Sequence, residues 1–139
     1  DQVVPDQLDE RSLEVRSHLL TVWQKLWDNE PECLPFRLPV DPMQLNIPDY
    51  FDIIKNPMDL KTIRDGLDQG KYKNPFDFCD HMWLMFENAW LYNRKNTKIH
   101  RWCTRLSEIF IEEINPVMRQ LGYYSKEYAK EHLILVNMM

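Results

Sequence analysis

The segment from Glu30 to Pro57 constrains the fold more than any other part of the chain. It is rich in Leu, Phe, Val, Ile and Tyr, whereas disordered linkers are polar. Proline removes backbone hydrogen bonds from helices and central strands, so this segment can form neither at length. Long connections inside compact domains are usually functional. We therefore expect this proline-rich loop to pack and to shape a site, with a short helical turn between Asp49 and Ile54. Its prolines are Pro31, Pro35, Pro39, Pro42, Pro48 and Pro57.

Helical periodicity flanks the proline-rich loop on both sides. Before it, apolar side chains recur at three- and four-residue steps from Ser12 to Asn29, which predicts an amphipathic helix. This helix starts between Asp6 and Ser12, since either residue could cap it. After the loop, Asp59 is the predicted N-cap of a second helix, which ends at Gly70. Its inward stripe consists of Leu60, Ile63 and Leu67.

Two longer helices follow. The pair Asn74-Pro75 gives an N-cap and a proline at the first helical position, which predicts a third helix ending near Asn93. A fourth helix begins near Lys98 and stops at Gly122, and we expect Asn115-Pro116 to interrupt or kink it. The third helix carries an apolar face that we assign to the core: Cys79, Met82, Trp83, Phe86, Ala89 and Trp90. The fourth carries Ile99, Trp102, Cys103, Leu106, Ile109, Phe110 and Ile114.

No segment shows the period-2 alternation of a strand, so the sequence predicts an all-α, four-helix bundle with the proline-rich loop between its first two helices. A chain of 139 residues suits one hydrophobic core. We assign residues 1–11 to an N-terminal flank, 12–122 to the bundle and 123–139 to a C-terminal extension compatible with a short helix. Such bundles hold ligands in the core or at one end, between facing helices.

Charge and cysteine usage narrow the function classes. The net charge of −5 disfavours direct binding of nucleic acid, which needs clustered cations, and suits a basic partner. The three cysteines form no C-x-x-C pair, and their odd number indicates reduced thiols rather than a disulfide framework. No signal peptide or transmembrane-length apolar run appears, so we expect no membrane partner. Because the first residue is Asp and not Met, we expect a segment of a longer protein.

Sequence motifs for catalysis or metal binding do not occur. No histidine belongs to an H-E-x-x-H motif or pairs with cysteine at metal spacing, and no phosphate-binding glycine loop exists. We predict no catalytic residue, no metal and no cofactor. An enzyme remains an alternative, with Cys33 or Cys103 acting as a nucleophile beside a histidine. A cage of aromatic rings for methylated lysine is another alternative.

Four stretches, taken together, indicate a binding module. They are "LPF" at 34–36, "PVDP" at 39–42, "NIPDYFDIIKNPMDL" at 46–60 and "WLMFENAWLYNRKN" at 83–96. In this order they resemble a bromodomain, the four-helix module that binds acetyl-lysine, and most closely the bromodomains of the CREB-binding protein family of transcriptional coactivators. The resemblance covers roughly residues 19–122. It implies a left-handed bundle with a pocket at one end, and a monomeric domain that binds acetylated histone and transcription-factor tails in the nucleus as part of a coactivator.

The resemblance also implies roles for individual residues. Asn93 matches the asparagine that hydrogen-bonds the acetyl carbonyl, and Tyr50 matches the tyrosine that reaches the same oxygen through a water. Ile99 matches the rim position often called the gatekeeper. The shelf and apolar walls of the pocket match Pro35, Phe36, Val40, Leu45, Ile47 and Tyr92. The rim matches Leu34, Leu38 and Lys98.

Three features depart from the closest relatives. Lys98 stands where they have an arginine, so a cation remains but the bidentate fork is lost. Leu38 replaces a polar loop residue. After Tyr123 the similarity ends: the relatives continue into a cysteine-rich, zinc-binding region, whereas residues 124–139 contain no cysteine.

The chemistry of acetyl-lysine suits these residue types. Acetylation converts an ammonium into a neutral amide with one carbonyl acceptor, and the Asn93 amide offers N–H donors at any physiological pH. An unmodified lysine would lose its water in an apolar pocket, at a cost of roughly several kcal/mol. Taken alone, an asparagine at position 93 more often ends the helix by bonding its backbone, and a tyrosine at position 50 more often simply packs. The resemblance favours the binding role for both.

Overall fold

The computed structural model describes the backbone of residues 9–138 and the side chains of residues 9–132. Within this part, the chain forms six α-helices and a short 3₁₀ helix, with no strand. The α-helices are α1 (Glu10–Trp27), α2 (Tyr50–Ile53), α3 (Leu60–Asp68), α4 (Pro75–Tyr92), α5 (Lys98–Leu121) and α6 (Lys126–Met138), and the 3₁₀ helix spans Leu34–Phe36.

Four of the helices form the bundle, which confirms the predicted architecture. Both α1 and α4 pack against α3 and α5, and α1 also contacts α4 across the bundle. The predicted apolar stripe of α4, which includes Trp83, Phe86 and Trp90, is buried. The largest fully buried side chains come from all four helices and from the proline-rich loop: Leu19, Leu26, Ile54, Ile63, Phe78, Met82, Phe86 and Phe110.

Side-chain caps fix the helix starts. The Asp59 carboxylate accepts a hydrogen bond from the Thr62 N–H at 3.0 Å, and the Asn74 side chain accepts two at the start of α4, as predicted. The cap of α1 is Asp9, whose carboxylate accepts from the Ser12 N–H at 2.7 Å. Ser12 is therefore inside α1 and is not its cap, while Asp6 lies outside the described residues.

Helix α5 is continuous through Pro116, so an interruption there is wrong, while the alternative of a kink stays a prediction. Proline inside a helix costs about 3 kcal/mol. Burial of Met118 and Leu121 beyond it contributes about 1.5–3 kcal/mol for each side chain, which outweighs that cost. The helix ends as predicted at Gly122, whose φ of 83° is the left-handed conformation that glycine adopts without strain.

The proline-rich loop is fixed to the bundle. The backbone N–H of Lys61 donates to the Arg37 carbonyl at 3.0 Å, and the Asn88 amide on α4 donates to the Asn56 carbonyl at 2.8 Å. Its buried residues are Cys33, Phe36, Tyr50 and Ile54. The short helix α2 confirms the helical turn expected between Asp49 and Ile54. The loop is thus a packed part of the domain.

The C-terminal extension forms α6, which packs on the side of the bundle. The Tyr128 hydroxyl donates to Oδ1 of Asp80 on α4 at 2.8 Å. The His132 ring stacks on Trp83 with 4.6 Å between ring centroids. Through these contacts α6 packs against α4, and it also contacts α5.

Candidate functional site

A cavity of about 500 Å³ opens at the end of the bundle where α4 ends and α5 begins. The proline-rich loop forms one wall, and α4 and α5 form the other. The structure brings most of the predicted site residues to this cavity: Asn93, Tyr50, Pro35, Phe36, Val40, Leu45, Ile47, Tyr92 and Ile99, with Leu38 and Lys98. Leu34 lies outside it and lines a shallower groove on the outer side of the loop.

Asn93 is the C-cap of α4. Its backbone N–H and its side-chain Nδ2 both donate to the Ala89 carbonyl, at 3.0 and 2.9 Å. A side-chain amide has two N–H donors and one carbonyl acceptor, so this bond uses one donor and leaves the second available. The two roles that the sequence left open for Asn93 are therefore compatible. The helix end orients the amide, and the remaining N–H can serve a ligand.

Tyr50 begins α2 and is 7% exposed. Its ring packs edge to face with the Tyr92 ring, with centroids 5.0 Å apart. Burial raises the pKa of Tyr50, so the phenol stays neutral at physiological pH and keeps its O–H donor. Within the described residues, that hydroxyl has no hydrogen-bond partner, which leaves it available at the cavity.

Tyr92 connects the two walls of the cavity. Its hydroxyl donates to Oδ1 of Asp49 at 2.7 Å, and this bond raises the pKa of Tyr92 because the carboxylate favours the neutral phenol. Asp49 belongs to the loop, whereas Tyr92 is the last residue of α4. The bond therefore sets the spacing between the loop and the end of α4.

A tight turn shapes the outer part of the loop wall. The Asp41 carboxylate accepts from the N–H groups of Met43 and Gln44 at 3.1 and 3.2 Å. Asn46 has a φ of 58°, a left-handed conformation that asparagine tolerates better than most residues. This turn leaves Leu45 58% exposed at the cavity mouth. An exposed leucine beside a cavity is an apolar surface that a ligand can cover.

The α5 side of the mouth carries a cation and an apolar rim. The Lys98 ammonium lies over the Trp102 ring, 5.2 Å from its centroid, in a cation–π contact. Ile99 is 36% exposed beside it. The mouth thus combines one positive charge with apolar side chains.

Five lining residues were not predicted as part of the site: Met58, Asp59, Met85, Ala89 and Trp102. Met85 and Ala89 precede Asn93 by eight and four residues, so all three lie along one line of α4. That spacing could have identified them. Trp102 was assigned only to the apolar stripe of the fourth helix. Its side chain also lines the cavity, which the helical spacing alone does not indicate.

The geometry removes the support for a cysteine nucleophile. The Cys33 thiol donates to the Trp27 carbonyl, and the Cys103 thiol donates to the Phe86 carbonyl. Burial raises the pKa of both thiols, which disfavours the reactive thiolate. Among the described residues, no cluster of three His, Cys, Asp or Glu side chains is arranged to hold a metal ion. None of the described helices combines the length and apolar character needed to cross a membrane.

Comparison with known proteins identifies the family. The sequence profile of the Bromodomain family matches residues 19–105, more than half of the chain. The chain belongs to the bromodomain family. Its bundle, loop and end cavity fit that assignment.

Several bromodomain-bearing regulators are similar to this chain. It is 54% identical over 105 residues to Protein cbp-1 of Caenorhabditis elegans, which covers 76% of this chain and 5% of that protein. It is 44% identical to Transcription factor GTE10 of Arabidopsis thaliana, over 65% of this chain and 8% of that protein. It is 45% identical to Bromodomain-containing factor 2 of Saccharomyces cerevisiae, over 55% of this chain and 12% of that protein. The chain therefore spans a small part of each relative.

The family assignment gives the general activity. Bromodomains bind acetylated lysine, and this one resembles members of the CREB-binding protein group in particular. The segment is a binding module of the kind found in transcriptional regulators.

Proposed function

We propose that this bromodomain binds acetyl-lysine in histone and transcription-factor tails through the cavity at the junction of α4 and α5. The observation that carries the proposal is the available amide N–H of Asn93, which lies in a cavity lined mainly by apolar side chains. Tyr50 adds a second neutral donor on the facing wall. A carbonyl oxygen is the ligand group that two such donors select.

The only carboxylate among the cavity-lining residues, Asp59, does not favour an unmodified lysine. It is 4% exposed, and its two oxygens already accept hydrogen bonds from Thr62, at 3.0 Å from the backbone N–H and 2.5 Å from the hydroxyl. A lysine ammonium entering the cavity would lose water without gaining an available carboxylate partner. The neutral acetylated form avoids that penalty.

We assign the roles as follows. Asn93 donates to the acetyl carbonyl, and Tyr50 reaches the same oxygen through a water. Ile99 acts as the gatekeeper, and Lys98 and Leu38 meet the residues that flank the acetyl-lysine. The shelf and walls around the lysine stem are Pro35, Phe36, Val40, Leu45, Ile47 and Tyr92.

Methylated lysine is the second candidate, because aromatic rings also line the cavity. A methylammonium cage needs ring faces turned toward the cation. The Tyr50 and Tyr92 rings pack edge to face, so the face of one of them is covered by the other. The Lys98 ammonium already lies over the Trp102 ring. These contacts leave few faces for a second cation and favour the acetylated ligand.

The cellular role is part of the same proposal. We infer that residues 12–122 form the reading unit, that it works as a monomer without direct contact to nucleic acid, and that it belongs to a nuclear coactivator. Similarity to Protein cbp-1 supports the coactivator, and similarity to the SWR1 complex bromodomain subunit bdf1 of Schizosaccharomyces pombe, at 45% identity over 58% of this chain, supports a nuclear setting.

A calorimetric titration with one tail peptide tests the binding proposal. The peptide is prepared in unmodified, acetylated and trimethylated forms with the same flanking residues. We expect the acetylated form to bind at least ten-fold more tightly than either of the others. Equal affinities for the three forms would exclude this cavity as an acetyl-lysine site.

A further inference from the structure

A second cavity, of about 160 Å³, lies at the other end of the bundle. It is bounded by the start of α1, the end of α3 and the residues that lead into α4. Its lining includes Pro75, the first residue of α4, whereas Asn93 follows the last residue of that helix. At about 1.5 Å per residue, the helix separates the two cavities by roughly 27 Å. The second cavity is therefore distinct from the acetyl-lysine site.

The lining of this second cavity is positively charged. Among the described residues, Arg11, Arg16 and Lys73 line it, without an Asp or Glu beside them in the lining. The chain as a whole has a net charge of −5, so three cations around one small cavity are not a consequence of overall composition. The charge is concentrated where three elements of the bundle meet.

Two of the three lining cations have a carboxylate partner. Arg64 donates to both oxygens of Asp68, at 3.0 and 3.2 Å, whereas Arg16 lies 3.8 Å from Asp68. Glu14 accepts from Arg11 at 2.7 Å, and Asp9 caps α1. Within the described part of the chain, Lys73 forms no ion pair. Arg16, which shares Asp68 with Arg64, and Lys73 are thus the cations of the cavity that are least compensated by a carboxylate.

Two buried polar atoms near this cavity have no hydrogen-bond partner. They are Nε of Arg16 and Oε1 of Gln69, and they are the only such side-chain atoms within residues 9–132. Gln69 directly precedes Gly70, which lines the cavity. An unpaired buried donor is unfavourable, and the Nε edge of a guanidinium matches the oxygens of a phosphate or carboxylate. The Arg16 donor without a protein partner is an observation independent of the lining charge, and it leaves one buried N–H that can bond an oxyanion.

We propose that this cavity binds a phosphate-sized oxyanion, held by the guanidinium of Arg16 and the ammonium of Lys73. The group could be carried as inorganic phosphate or as a phosphoserine side chain, which present the same oxygens. Binding would link α1 to the segment between α3 and α4, and would stabilise the folded bundle by mass action.

Thermal unfolding and amide NMR on the whole chain test this proposal. Sodium phosphate, free O-phosphoserine and sodium chloride are compared at equal ionic strength. We expect phosphate or phosphoserine to raise the melting temperature by a few degrees in a saturable manner, with amide shifts concentrated at Ser12, Arg16 and Lys73. A larger effect of phosphoserine would identify a side-chain source, and a larger effect of inorganic phosphate would identify the free ion.

Variants distinguish phosphate binding at this cavity from a non-specific effect of salt on the surface charges. Arg16→Lys keeps the positive charge but removes the planar, bidentate set of N–H donors, and should weaken phosphate binding at least ten-fold. Lys73→Gln, an exposed change that should not affect folding, should weaken it similarly. Lys71→Gln is the matched control, since Lys71 is exposed nearby but does not line the cavity. A melting shift that never saturates, or that falls equally in Lys71→Gln and Lys73→Gln, would overturn the proposal. Acetylated-peptide binding by Lys73→Gln reports separately on the acetyl-lysine site.

Discussion

The Tyr92 hydroxyl donates a hydrogen bond to Oδ1 of Asp49 at 2.7 Å. This bond joins the last residue of α4, directly before Asn93, to the loop residue directly before Tyr50. The two residues that we propose to bind the acetyl group are thus each one position away from a shared bond. The spacing between the two walls of the cavity depends on a contact that does not itself need to touch the ligand.

Tyr92→Phe should loosen the cavity with little effect on folding. The bond is exposed, so its loss should cost no more than about 1 kcal/mol of stability. Affinity for an acetylated peptide should fall about two- to five-fold, because the loop is held less firmly. Tyr128→Phe is the matched control, since it removes a similar bond to Asp80 on the other side of the bundle. If both variants bind equally well, the Tyr92–Asp49 bond does not position the site.

Asn93→Asp tests the central residue. An ionised Asp presents only acceptors, so an oxygen would face the acetyl carbonyl and another would face the Ala89 carbonyl. An unpaired buried polar group costs about 1–3 kcal/mol, which predicts a loss of affinity of roughly ten- to hundred-fold. The variant should also melt lower, because it loses the Ala89 bond and places a negative charge at the C-terminus of α4.

Since Asn93→Asp changes stability as well as binding, its control must lose a comparable amide. Asn88 lies on the same helix, donates to the Asn56 carbonyl at 2.8 Å and does not line the cavity. Asn88→Asp should also melt lower, but because it releases only the Asn56 end of the loop its affinity for acetylated peptide should fall no more than about five-fold, against ten-fold or more for Asn93→Asp. Titrations at a temperature where all three proteins are folded make the comparison. Parental affinity in Asn93→Asp would show that Asn93 only ends the helix.

Ile99→Ala should widen the mouth of the cavity. The side chain is 36% exposed, so the fold should be nearly unaffected. Removing apolar contact at a partly buried position should weaken peptide binding by about 1 kcal/mol, or roughly five-fold. Leu91→Ala serves as the control, because Leu91 is 67% exposed close to the same end of α4 and lies outside the cavity lining. A fall of many degrees in melting temperature would place Ile99 in the core instead of the rim.

Alkaline pH should destabilise the domain. Burial raises the pKa of the Cys79 and Cys103 thiols above that of an unfolded thiol, about 8.5. As the pH rises through 8.5, the unfolded chain loses these protons and the folded chain keeps them. Stability is therefore retained below this pH and decreases above it, by up to about 1.4 kcal/mol per pH unit for each thiol. Denaturant unfolding at pH 7.5, 8.5 and 9.5 measures the slope, which should be shallower in Cys103→Ala.

Local signals in the sequence predicted most of the helices. Asp59 and Asn74 cap α3 and α4 because each precedes an apolar helical pattern with backbone donors within reach of its side chain. The start of α1 was left open between Asp6 and Ser12, and the cap in the structure is Asp9, which lies between them. The choice of Asp9 depends on how α1 packs, which local sequence does not record. The continuity of α5 through Pro116 was missed for the same reason. The burial of Met118 and Leu121 that offsets the cost of the proline depends on the other helices of the bundle.

The family motifs predicted where the site residues would meet, but not the bonds among them. The cavity includes Met85 and Ala89 because they align with Asn93 on α4, a relationship visible in the spacing. The Tyr92–Asp49 bond joins residues separated by 43 positions in the chain, and no local pattern indicates it. The hydrogen bond between Asp59 and Thr62 joins residues three positions apart, so the local sequence indicates it. That Asp59 lines the cavity depends on how the helices pack, which the local sequence does not indicate.

Removal of residues 125–139 tests the role of α6. His132 stacks on Trp83, and Tyr128 packs on Phe76 and bonds to Asp80, so their loss should uncover apolar surface on α4 and α5. We expect a loss of roughly 2–4 kcal/mol of unfolding free energy, the scale of exposing two partly buried aromatic side chains. Affinity for acetylated peptide should stay within about two-fold, because the cavity lies at the far end of α4. Full-length His132→Ala should lose part of the same stability. Coincident denaturant midpoints for the truncated and full-length chains would mean that α6 does not pack against the bundle in solution.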